Sequence, residues 1–102
     1  LPNYDMAYSI LKDKQYLKYD NSAVENICEQ FAMISKSKEL FIDYGSAFWV
    51  NVMFCTNATI YITDENDNMA WQYERFQAFH VLLAMIKRRN NTIVNLHFPR
   101  NY

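Results

Sequence analysis

Apolar and polar side chains alternate through the middle of the chain, from Phe48 to Thr63. In an extended strand Phe48, Val50, Val52 and Phe54 point one way and Trp49, Asn51 and Met53 the other. After a turn at Thr56-Asn57, Ala58, Ile60 and Ile62 alternate with Thr59, Tyr61 and Thr63. The pattern predicts an antiparallel hairpin with one buried face. Leu40-Phe41-Ile42-Asp43-Tyr44, stopped by Gly45-Ser46, predicts a strand before it. Beyond the polar run Asp64–Asn68, Met69 to Tyr73 predicts a short strand, and Thr92 to Phe98 a last one, cut by Pro99.

Three segments carry a helical period instead. Residues 5–18 place Met6, Ile10 and Leu17 on a loose stripe behind an Asp5 cap, with a partly extended arm from Tyr16 onward as the alternative. Residues 22–35 open on a capping box of Ser22 and Glu25 and repeat Val24, Ile27, Cys28, Phe31 and Ile34. Residues 74–89 repeat Phe76, Phe79, Leu83 and Ile86, and Lys87, Arg88 and Arg89 suit the C-terminal end of the helix dipole. The predicted class is α+β: an antiparallel β-meander packed against helices, with a long helix near the C-terminus.

Composition narrows this picture. The chain has 102 residues, 51% hydrophobic and 17% aromatic, enough for one core in a single domain spanning 1–102. A formal net charge of −1 does not fit a general nucleic-acid binder. No stretch approaches the roughly 20 apolar residues of a membrane span, so no membrane partner is expected. The opening Leu1-Pro2-Asn3-Tyr4-Asp5 lacks signal-peptide features and an initiator Met, so an intracellular, cytoplasmic fragment of a longer protein is expected. Cys28 and Cys55 read as free thiols of a reducing compartment. Asn57-Ala58-Thr59 and Asn90-Asn91-Thr92 fit the glycosylation pattern, a weak signal in an Asn-rich chain. Gly45 is the only glycine, which leaves the turns to Asn, Asp and Ser.

Candidate chemistry is sparse. Asp64-Glu65-Asn66-Asp67-Asn68 begins like a calcium loop, but Met69 and Arg75 stand where that loop needs Gly and Glu. His80 and His97 could serve a Cys55 nucleophile, yet no local signature orients them. Two Cys and two His lack the paired spacing of a zinc site. One glycine cannot build a phosphate-cradling loop. No metal or cofactor is expected. The residues predict a non-catalytic protein–protein interaction domain, the alternative being a small enzyme or ligand binder using Cys55, His80 or His97. The outward face of the hairpin, Trp49, Asn51, Met53 and Tyr61, is the expected contact patch, with Lys87, Arg88 and Arg89 as a charged rim. The expected partner is a protein, for instance a helical scaffold segment, or a second copy joined through an unpaired sheet edge.

Leu40-Phe41-Ile42-Asp43-Tyr44-Gly45, Val50-Asn51-Val52-Met53-Phe54 and Ala58-Thr59-Ile60-Tyr61-Ile62 together resemble a polo-box, the targeting module of polo-like kinases, over about a third of the chain. The phosphopeptide-reading type carries His and Lys where this chain has Asn57 and Thr59. The resemblance therefore implies a scaffold-binding or dimerising polo-box, like those of the kinases of centriole duplication. It implies a parent serine/threonine kinase and a place at the centrosome or centriole. Kinase-associated domains are a looser likeness.

Overall fold

The computed structural model describes residues 27–45, 48–96 and 100–101. The predicted helix at 5–18, the Ser22–Glu25 capping box and His97 lie outside the described residues. Within them the elements run α1 (Ile27–Ser35), β1 (Glu39–Asp43), α2 (Phe48–Val52), β2 (Thr59–Thr63), α3 (Asn68–Arg75), α4 (Gln77–Arg88), β3 (Thr92–Asn95) and the two-residue β4 (Arg100–Asn101).

The sheet corrects the predicted class. Its order is β1-β2-β3-β4, and β1, β2 and β3 are all parallel, with only β4 antiparallel beside β3. The predicted meander is absent, and the arrangement is helices alternating with parallel strands rather than α+β. A parallel pair needs a crossover connection of about a dozen residues. The stretch read as the clearest strand supplies one: Phe48–Val52 is helical and bridges β1 to β2. Its buried positions Phe48, Asn51, Val52 and Cys55 recur at three- and four-residue steps, a helical period. Alternation of two was the competing pattern, and the polar Asn51 hid the other. Met69–Tyr73, predicted as a strand, is inside α3. In place of one long helix over 74–89, α3 and α4 meet at Phe76, whose backbone is extended (φ −119°, ψ 119°).

Strand order follows chain order, so two crossovers of the same hand fall on the same side of the sheet. That side carries the register rows Leu40–Ile60–Ile93 and Ile42–Ile62–Asn95. Ile60, Ile62 and Ile93 are fully buried there against Ile34, Phe48, Val52, Met69, Phe79, Leu83 and Ile86 from all four helices. The opposite side carries Phe41–Tyr61–Val94 in one row, half-buried, with the Phe41 and Tyr61 rings stacked at 4.6 Å. Burial of a large aliphatic side chain is worth about 1.5–3 kcal/mol, so the helical side dominates stability. Turns fall to Asn57, Asp67 and Asn90, each in the left-handed region (φ 56°, 52° and 63°), which Asn and Asp tolerate better than most residues.

Candidate interaction surface

The predicted contact face does not assemble. Asn51 is buried in α2, and Trp49 and Met53 are only partly exposed and pack on the core. Trp49 lies edge-on to Phe48 at 5.0 Å and to Phe79 at 5.5 Å. Tyr61 stands on the other side of the sheet, stacked on Phe41. Once Phe48–Val52 becomes helical these four residues no longer alternate on one plane.

The predicted rim divides as well. Arg89 is a structural residue at the amino edge of the sheet. Its Nε donates to the Cys55 carbonyl at 3.2 Å, and Nε and Nη2 reach Thr56 Oγ1 at 3.4 and 3.3 Å. Beside it, buried Asn91 uses both ends of its amide. Nδ2 donates to the carbonyls of Cys55 and Ile86 at 2.9 and 3.0 Å, and Oδ1 accepts the Ala58 N–H at 3.0 Å. Asn90 Nδ2 donates to Asn57 Oδ1 at 2.7 Å, and the Asn57 N–H donates to the Arg89 carbonyl at 3.0 Å. The two N-x-T sequences thus meet as one polar clamp joining the turn before β2 to the turn before β3. Lys87 and Arg88 are exposed in the last turn of α4.

Of the residues of the alternative catalytic reading, Cys55 and His80 are not brought together, and His97 lies outside the described residues. Burial pushes the Cys55 thiol up to about 11, with Arg89 pulling weakly the other way, so the sulfur stays protonated at neutral pH. His80 is in the first turn of α4 and the Cys55 carbonyl meets Arg89, just past its last turn. Nine residues of helix separate these positions by about 13 Å. Cys28 is exposed on α1.

The carboxyl edge of the parallel strands is where such sheets place ligands. Here the Tyr44 hydroxyl bonds Gln72 Oε1 and Thr63 Oγ1 bonds the Asp43 carboxylate. Asp64, 2% exposed, accepts the Met69 N–H on Oδ2 at 2.7 Å. Its Oδ1 has no hydrogen-bond partner among the described residues. Among them, too, no three His, Cys, Asp or Glu side chains gather to hold a metal ion, and no helix is long and apolar enough to cross a membrane.

A different cluster emerges at the α3–α4 joint. Trp71 and Phe76 are each 49% exposed and Tyr73 44%. The Trp71 and Phe76 rings lie 5.3 Å apart. The Arg75 guanidinium sits 4.7 Å over the Trp71 ring, a cation–π contact. Tyr73 and His80 rings are 4.2 Å apart, and His80 Nε2 donates to the Tyr73 carbonyl. Extended Phe76 creates this cluster, because it ends α3 and turns its ring out before α4 begins. Sequence reasoning assigned Phe76 to the buried stripe of one continuous helix and Trp71 and Tyr73 to a strand. A second apolar stripe, Val81 and Met85 on the far side of α4 from Phe79, Leu83 and Ile86, was the signal available.

No family model, no curated protein and no solved structure matches the chain. The strand that the polo-box likeness needs at Val50–Phe54 begins as helix, with Val50, Asn51 and Val52 in α2, and its hairpin partner β2 pairs in parallel with β1 and β3.

Proposed function

We propose that this chain is a non-catalytic protein–protein interaction domain that docks its partner on the aromatic joint between α3 and α4. The observation that supports this reading is the pair Trp71 and Phe76, each 49% exposed with rings 5.3 Å apart, and Arg75 on the Trp71 ring. Trp, Tyr and Arg are the residues over-represented among those that carry binding energy, since they cover large areas at low entropic cost. Large rings held in water are unfavourable unless something covers them. Lys87 and Arg88, at the other end of α4, form a charged margin to the same helical layer.

The test compares the chain with a Trp71→Ala Phe76→Ala variant, each immobilised and used to capture binding proteins. Circular dichroism checks that both fold. Loss of captured proteins by the folded variant supports the joint as the contact face. Equal recovery by both proteins removes it.

A further inference from the structure

We infer that α3 is a lid on the carboxyl edge of the sheet, which opens as a unit while the rest of the fold stays closed. The inference goes beyond the docking reading above and does not depend on it.

The attachments of α3 differ in kind from those of α4. Of the eight residues of α3, Met69 alone is buried, whereas α4 buries Phe79, Leu83 and Ile86. The other ties are polar. Asp64, just past β2, accepts the Met69 N–H at 2.7 Å. The hydroxyl of Tyr44, just past β1, donates to Gln72 Oε1. At the far end His80 Nε2 bonds the Tyr73 carbonyl. Met69 and Gln72 are three residues apart, about 4.5 Å along a helix, close to the spacing of about 4.8 Å between neighbouring strands. One turn of α3 thus ties the ends of β1 and β2.

The helical conformation is interrupted at both ends of this element. Asp67 before it is left-handed (φ 52°, ψ 40°) and Phe76 after it is extended (φ −119°, ψ 119°). Residues at element ends are where hinge motion is absorbed. A helix of eight residues is not stable by itself, so its own hydrogen bonds are lost once it lifts. Asp64 supplies a reason to open. It is 2% exposed; one carboxylate oxygen serves the Met69 N–H and the other has no hydrogen-bond partner among the described residues. A buried carboxylate oxygen without a donor raises the free energy of the closed state, and lifting α3 lets water reach it. Segments with little buried apolar surface are the ones that open below the cost of global unfolding. The edge that α3 closes is the side on which parallel sheets take ligands.

Native-state hydrogen exchange on the 102-residue chain, followed by NMR at individual amides, tests this. The Met69, Trp71 and Phe76 N–H groups are bonded to Asp64 Oδ2, the Asp67 carbonyl and the Gln72 carbonyl. They are expected to exchange together, at least about tenfold faster than Leu83 and Ile86 in the buried middle of α4. Tyr44→Phe removes a bond that is lost in both the opened and the unfolded state, so it speeds both groups of amides about fivefold. Ile93→Val weakens the core that persists while the lid is open. It speeds Leu83 and Ile86 about fivefold and leaves the α3 amides unchanged. Three results overturn the lid: α3 amides as slow as Leu83 and Ile86, both groups accelerated alike by Ile93→Val, or a Met69 amide indifferent to Tyr44→Phe.

Discussion

The amino edge of the sheet and the α3–α4 joint are both places where the chain reverses, and they treat their side chains in opposite ways. At the amino edge, Asn57, Arg89, Asn90 and Asn91 are committed to backbone carbonyls, an N–H and one another. At the joint, Trp71 lies against Phe76 and Arg75, Tyr73 lies against His80 and Phe79, and Trp71, Tyr73 and Phe76 each keep more than two-fifths of their surface exposed. The polar turn is a structural device, because buried backbone groups must be paired. The aromatic turn exposes more apolar ring surface than the fold requires. The difference teaches that charge or polarity at a turn is poor grounds for assigning a binding role here. Arg89 looked like part of a docking rim and is a clamp.

Four outcomes would sharpen or break this contrast. The largest effect is expected at Asn91. Asn91→Ala leaves the buried Ala58 N–H without its partner and takes one donor each from the Cys55 and Ile86 carbonyls, which keep Arg89 Nε and the Arg89 N–H, at a cost of about 3 kcal/mol in urea unfolding. A change within experimental error would mean the clamp is not structural.

Next comes pH. The Cys55 thiol titrates at 9.0 in the unfolded reference and at about 11 in the fold, raised by burial. Below pH 9 both states keep the proton and the stabilisation is whole. As pH rises from 9 to 11 the unfolded chain releases its proton first, so stability falls, by about 2–3 kcal/mol in all. The difference between the parent and Cys55→Ala isolates this limb from other titrations, and parallel pH curves for the two would remove it.

Arg89 should then separate from its neighbours. Arg89→Ala is expected to destabilise by about 1 kcal/mol, whereas Lys87→Ala and Arg88→Ala stay within about 0.5 kcal/mol. Equal thermal shifts for all three would return Arg89 to the rim. The smallest change in stability is expected at the joint: Trp71→Ala and Phe76→Ala should each cost about 0.5 kcal/mol or less, while abolishing partner capture. A loss comparable with Asn91→Ala would show that the rings are core and not a surface.

Legibility in the sequence followed how local each signal was. The strands at Leu40–Tyr44 and Ala58–Thr63 were readable within a residue or two, because their apolar positions face a helical layer and their alternate positions do not. The inner stripe Phe79, Leu83 and Ile86 was equally clear. Phe48–Cys55 was misread because its residues satisfy two periods at once, and only the buried set Phe48, Asn51, Val52 and Cys55 distinguishes them. The break at Phe76 was invisible, since no Pro or Gly marks it. Without that break the joint could not be anticipated. Among the expected contact residues, Trp49 and Met53 were partly drawn into the core and Tyr61 moved to the opposite side, all as consequences of one mistaken element.

By itself the sequence determined that Leu40–Asp43 and Thr59–Thr63 are extended, which face of α4 seeks the core, and that Asn and Asp would make turns in a chain with one glycine. Those are consequences of side-chain spacing and backbone sterics, which act over a few residues. The tertiary structure alone decided that the strands run parallel, that Phe48–Val52 coils to cross between them, and that Trp71 and Phe76 remain outside. Parallel and antiparallel pairing use the same backbone donors and acceptors. A strand with one covered side shows the same alternation in either, and only the packing of the whole layer selects between them.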